Sequence, residues 1–165
     1  MKSNKILAIF TFVVSAFLFT GCPYDNENPL TPATGKFPSN LLGIWEQADN
    51  TGVKVEVKAG DSGTAKIVKT TINEGSDPTI ENFIGHITDI DGVLFLNVTE
   101  QSEFSNTYYF YKITKEGDNK MVLSAVTSNI RENFEPGDAM KKFFAANMKN
   151  SYFFDITDET YYKLK

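Results

Sequence analysis

Cysteine, histidine, arginine and tryptophan each occur once in the 165 residues, as Cys22, His86, Arg131 and Trp45. A single cysteine excludes a disulfide within the chain, so stability must come from a packed core. A single histidine leaves little for a metal site, which usually draws on several His or Cys. No serine sits in the nucleophile-elbow motif that a histidine-assisted hydrolase uses. Basic charge is also scarce, with 16 Lys and Arg against 21 Asp and Glu. Nucleic-acid binding needs clustered Lys and Arg, and a basic face is what draws a protein onto anionic lipid. The acidic balance argues against both.

What is present begins at the N-terminus. Residues 2–22 read KSNKILAIFTFVVSAFLFTGC. Lys2 and Lys5 precede a run from Ile6 to Phe19 that carries no charge. A basic start followed by such a run is the pattern of a secretory signal, and the run is shorter than the ~20 residues that span a bilayer. Phe19-Thr20-Gly21-Cys22, a bulky residue and two small ones before the cysteine, resembles the processing site of bacterial lipoproteins. The resemblance implies a signal peptide over 1–21, cleavage before Cys22, a diacylglyceryl group on its sulfur and an acyl chain on the new amine. At ~0.8 kcal/mol per buried methylene, two or three chains hold a soluble domain on a membrane. The expected partner is therefore the lipid bilayer, through acylated Cys22. The expected location is the bacterial cell envelope, as an outer membrane lipoprotein that is periplasmic or surface-exposed. Asp25 and Glu27 resemble the acidic surface-export signal of Bacteroidetes lipoproteins.

Cleavage leaves 144 residues, the size of one domain. Residues 22–39 hold four prolines among small polar residues and read as a flexible tether. A domain over 40–165 follows. Val53, Val55 and Val57 alternate with Lys54, Glu56 and Lys58, the period of a half-buried strand. Further strands are predicted over 41–46, 65–72, 79–88, 93–100, 107–115 and 120–127, with closing strands at 152–154 and 160–164. Asp91-Gly92 between two apolar runs predicts a hairpin. Over 93–100 both faces carry apolar residues, so both are expected to be covered. Spacing of Ala139, Met140, Phe143, Phe144, Ala146 and Met148 predicts one amphipathic helix from Ala139 to Met148, with Asp138 as its N-cap. The sum is a mostly β chain, an antiparallel meander barrel with one late helix; a two-sheet sandwich accepts the same count.

Gly43-Ile44-Trp45, at the opening of the first strand, resembles the Gly-x-Trp of lipocalins. The segments FIGHITDIDGVLFLNV (83–98) and YYFYKITKEGDNKMVL (108–123) are similar to those of small lipocalin-like lipoproteins of Bacteroidetes. The resemblance implies a lipocalin-like barrel in which Trp45 seals one end. In that family a late arginine lies over the tryptophan, and the only arginine here is Arg131.

The residues point to binding and away from chemistry. His86 has Gly85 and Ile87 beside it and no catalytic motif. Asp89 and Asp91 fit a turn and lack the remaining ligands of a calcium loop. No catalytic residue, metal or cofactor is therefore assigned. The aromatic run Tyr108, Tyr109, Phe110 and Tyr111, with Trp45 and His86, is the candidate ligand lining, the hydroxyls orienting a mostly apolar molecule. The same residues would equally fill a core. Two functions follow: a non-catalytic envelope lipoprotein binding a small apolar or amphiphilic ligand in its barrel, or a filled barrel acting as an interaction or accessory module for an envelope protein.

Overall fold

Residues 23–101 and 107–165 are described by the computed structural model. Residues 1–21, read as a signal peptide, and Cys22, the expected lipidation position, lie outside the described residues. Strands β1 (Asp25–Asn26), β2 (Gly43–Gln47), β3 (Val53–Ala59), β4 (Thr64–Thr71) and β5 (Thr79–Ile90) are followed by β6 (Val93–Glu100), β7 (Tyr108–Glu116) and β8 (Lys120–Ala125). Helix α1 (Asp138–Asn147) precedes the last strand, β9 (Glu159–Lys163). From β2 to β9 each strand pairs antiparallel with the next, and β9 returns to β2 with Trp45 opposite Lys163. The result is a closed eight-stranded meander barrel with a single late helix. Closure leaves these strands no free edge over their paired length.

Alternation along the strands sets the two faces. Trp45, Val55, Ile67, Leu96, Ile113, Met121 and Tyr161 share the interior cluster. The lysines and glutamates of β3 lie on the solvent face, where Lys58 meets Glu56 at 2.9 Å. At the β5–β6 turn Asp91 and Gly92 both have positive φ, 52° and 83°, the signature of a type I′ hairpin. The Asp89 carboxylate accepts the Gly92 N–H at 2.8 Å, so this aspartate serves the turn.

A second core lies outside the barrel wall. Phe95 and Phe110 point outward from β6 and β7, and α1 with its C-cap residue Met148 lays Met140, Phe144 and Met148 over them. The Phe144 ring meets Phe95 at 5.4 Å and Phe110 at 5.5 Å, both edge to face, a preferred aromatic geometry. Both faces of β6 are thus covered, as its sequence suggests. Two local expectations differ. The N-cap of α1 is Gly137 and Asp138 is its first residue; a glycine at φ 137° allows the sharp entry. Tyr152–Phe154 is no strand: Ser151–Phe153 forms a 3-10 turn that drops Phe153 into the outer core, and only Phe154 bridges to Val126.

The larger difference concerns the segment read as a tether. From Pro23 onward it is packed on the barrel. Pro23 bridges Thr127, and β1 pairs with Tyr108 and Tyr109 where β8 has left the edge of β7. Tyr24 and Leu30 are buried in the outer core. The chain then passes over β6 and β5, skirts the β3–β4 turn at Gly63 and enters β2 across the end of the barrel. Its prolines fit this extended path, which no helix or interior strand could follow.

Candidate ligand cavity

One end of the barrel is closed by the lead-in to β2. Leu41 is buried there, and the Trp45 indole N–H donates to its carbonyl at 3.0 Å. Trp45 itself is fully buried. Lys115 Nζ lies 4.8 Å and Lys163 Nζ 5.3 Å from the centre of the Trp45 ring, within cation–π range. Gly43, at φ 126°, makes this possible: a Cβ there would stand 2.8 Å from Lys163 Cε. Burial and the neighbouring Lys163 charge lower the pKa of Lys115. The cations over the tryptophan are therefore two lysines. Arg131 is exposed in the connection between β8 and α1.

Above this floor the interior holds a cavity of about 130 Å³. Phe37 and Leu41 form its base, and Val55, Val57, Ile67, Leu96 and Val98 contribute to its walls. Gly85 keeps the wall of β5 thin. A Cβ there would meet Ile67 Cδ1 and Leu96 Cδ1, each at 2.9 Å.

Polar groups gather toward the other end, where β4 finishes and β5, β7 and β9 begin. Lys69 and Glu159 are at the rim, with Tyr109, Tyr111 and Tyr161 below. The Tyr161 hydroxyl donates to Glu159 Oε2 at 2.6 Å, and Lys69 Nζ pairs with Glu81 Oε2 at 3.1 Å. Burial, and then the Glu159 charge, push the pKa values of both Tyr111 and Tyr161 upward. Both phenols are held protonated; the Tyr161 proton goes to Glu159, and that of Tyr111 is available to a ligand. Tyr111 makes no hydrogen bond among the described residues.

The six aromatic and histidine candidates divide by strand alternation. Tyr109 and Tyr111 face the cavity. Trp45 belongs to the closed end. Phe110 is in the outer core, and Tyr108 packs against it. Their side chains point away from the interior because they alternate with Tyr109 and Tyr111 on one strand. His86 also faces outward. Its Nε2 is 2.7 Å from the Thr31 carbonyl oxygen, so that nitrogen must carry the proton and donate. Thr31 Oγ1 and Thr88 Oγ1 are 2.7 Å apart, and the Asn97 amide donates to Thr88 Oγ1 at 3.0 Å. His86, Thr88 and Asn97 thus form a buried polar clip for the N-terminal segment.

Sequence reasoning did not single out Glu159, Tyr161, Lys69 or Phe37. Glu159 and Tyr161 are two apart on one strand, so alternation alone puts them on one face. Among the described residues no three His, Cys, Asp or Glu side chains converge as a metal site. No helix of the described residues is long and apolar enough to cross a membrane. No protein-family model, curated protein or solved structure matches the chain.

Proposed function

We propose that this chain is an envelope lipoprotein, held on the bilayer through acylated Cys22, whose barrel binds a small apolar or amphiphilic molecule without altering it. The observation that carries this reading is the cavity: apolar over its base and walls, closed at one end, with its polar groups at the other. Binding follows from apolar burial in a preformed space, oriented by a few polar groups. Volume sets the ligand's size. Pockets for drug-sized molecules begin near ~300 Å³, whereas a dry cavity of ~150 Å³ takes benzene. At about 130 Å³ the barrel suits a ring or a short branched chain and not an entire fatty acid. The Trp45 seal, with cations over the ring, supports the lipocalin-like resemblance. The lone histidine is engaged with Thr31 outside the barrel, so binding asks nothing of it.

The test is a titration of the full chain in zwitterionic vesicles with benzene-sized apolar probes, following emission of Trp45, the only tryptophan. Saturable binding at one site per chain is expected. Partitioning into the vesicles alone, with no saturable component, overturns the reading. Anchorage is tested separately by palmitate labelling of cells producing the chain, where Cys22→Ser should abolish incorporation.

The interaction-module reading has one observation in its favour. Ile44, Tyr162 and Leu164 are exposed together on the outer face of β2 and β9, where the Leu164 N–H donates to the Ile44 carbonyl at 2.8 Å. Substituting all three by threonine would abolish partner capture under that reading and leave ligand binding intact under ours.

A further inference from the structure

Two groups in the cavity remain unmatched once the fold is satisfied. Glu159 makes no ion pair among the described residues; its known partner is the neutral Tyr161 hydroxyl. Lys69, the cation at the rim, forms its ion pair with Glu81, at 3.1 Å. The second group is the Tyr111 hydroxyl, which faces the same space and makes no hydrogen bond among the described residues. Glu159 and Tyr111 stand on β9 and β7 with β8 between them: Leu123 is opposite Glu159 on one side and Ile113 on the other. Strands are ~4.8 Å apart, so a carboxylate and a long tyrosine on one concave face converge across β8. The influence of the Glu159 charge on Tyr111 agrees with that placement.

We infer that the ligand carries a cationic, hydrogen-bond-donating head, as a small primary amine does, seated between Glu159 and the Tyr111 oxygen, with its apolar body toward Phe37 and Leu41. The inference rests on the binding function proposed above and specifies the chemistry of its ligand. An ammonium leaves water only for a paired anion, and Glu159 supplies one in surroundings that strengthen the attraction. Charge-assisted hydrogen bonds to the carboxylate are stronger than neutral ones, and the Tyr111 oxygen can accept a further N–H. A carboxylate-headed ligand meets Glu159 as a like charge. A neutral alcohol satisfies Tyr111 and leaves Glu159 uncompensated.

Three probes of one shape separate these cases: benzylamine, benzyl alcohol and benzoate, titrated calorimetrically into the full chain in phosphatidylcholine vesicles against protein-free vesicles. Benzylamine should bind at least tenfold more tightly than benzyl alcohol, and benzoate should not bind. Glu159→Gln keeps an acceptor for Tyr161, and should bring the amine to the level of the alcohol. Tyr111→Phe should weaken amine and alcohol together. Equal binding of alcohol and amine, tighter binding of benzoate, or an amine preference that survives E159Q would overturn the cationic head and leave small-ligand binding standing. Binding of none of the three would overturn both. If E159Q does not fold, the order of the three probes on the unsubstituted chain still decides.

Discussion

The backbone N–H of Leu30 donates to Asn97 Oδ1 at 2.8 Å, joining an N-terminal stretch without regular structure to the outer wall of β6. Asn97 has no exposed surface, and its amide nitrogen also serves Thr88. Asn97→Ala removes both bonds and leaves the buried Leu30 N–H without its acceptor, while Thr88 keeps the Thr31 hydroxyl at 2.7 Å. A buried unsatisfied group costs about 1–3 kcal/mol, and the variant should lose about that much. Chemical denaturation measures the loss. Hydrogen exchange should quicken over residues 24–31 first, and unchanged protection there would show that the clip does not hold the segment.

This attachment marks the limit of what the sequence makes legible. Strand periods are local, so the alternation of β3, the Asp91-Gly92 turn and the opposed faces of β7 can be read directly. The anchors of the N-terminal segment are not local. Leu30 meets a side chain 67 residues on and Thr31 one 57 residues on, and proline-rich composition gives no hint of either. The rim of the cavity was hidden for a similar reason. Glu159 comes near Tyr111 only because β9 closes the barrel between β8 and β2. The alternation of β7 did contain one usable distinction: Tyr109 and Tyr111 can share a site, and Tyr108 and Phe110 cannot join them.

His86 links the same attachment to pH. Burial lowers its pKa, and the hydrogen bond to Thr31 opposes that only in part. The folded chain therefore holds the neutral ring, while the unfolded chain titrates near 6.5. Below that pH the unfolded state binds more protons, so stability is fully present above about pH 6.5 and declines as the pH falls toward the folded value. His86→Gln keeps a donor for the Thr31 carbonyl and cannot be protonated in this range. Denaturation midpoints from pH 7.5 to 5 should fall less steeply in H86Q than in the parent. Identical slopes would mean that this ring does not couple folding to pH.

The outer core and the barrel interior should respond separately. Phe144 is fully buried and packs against the rings of Phe95, Phe110 and Phe153. Phe144→Ala should cost about 3–5 kcal/mol. Its contacts lie on the outside of the wall and the cavity on the inside, so the surviving folded protein should bind apolar probes with unchanged affinity. A parallel loss of binding would show that α1 shapes the cavity through the wall.

Filling the cavity tests whether its space is used. Val55 faces inward from β3 with part of its surface open to the cavity, and lies opposite Trp45 and Lys69 on the neighbouring strands. Val55→Phe would place a ring where the ligand's body is assigned. In a packed core such a change costs about 1–3 kcal/mol, because extra atoms force neighbours off their rotamers. In a cavity of about 130 Å³ the ring gains contacts without displacing any side chain. Stability should therefore stay within about 1 kcal/mol of the parent or rise, while affinity for the apolar probes falls at least tenfold. Both halves are needed. A large loss of stability would show that the space is not free to be filled. Unchanged stability with unchanged binding would place the ligand outside the barrel, and attention would pass to the exposed face around Ile44 and Tyr162.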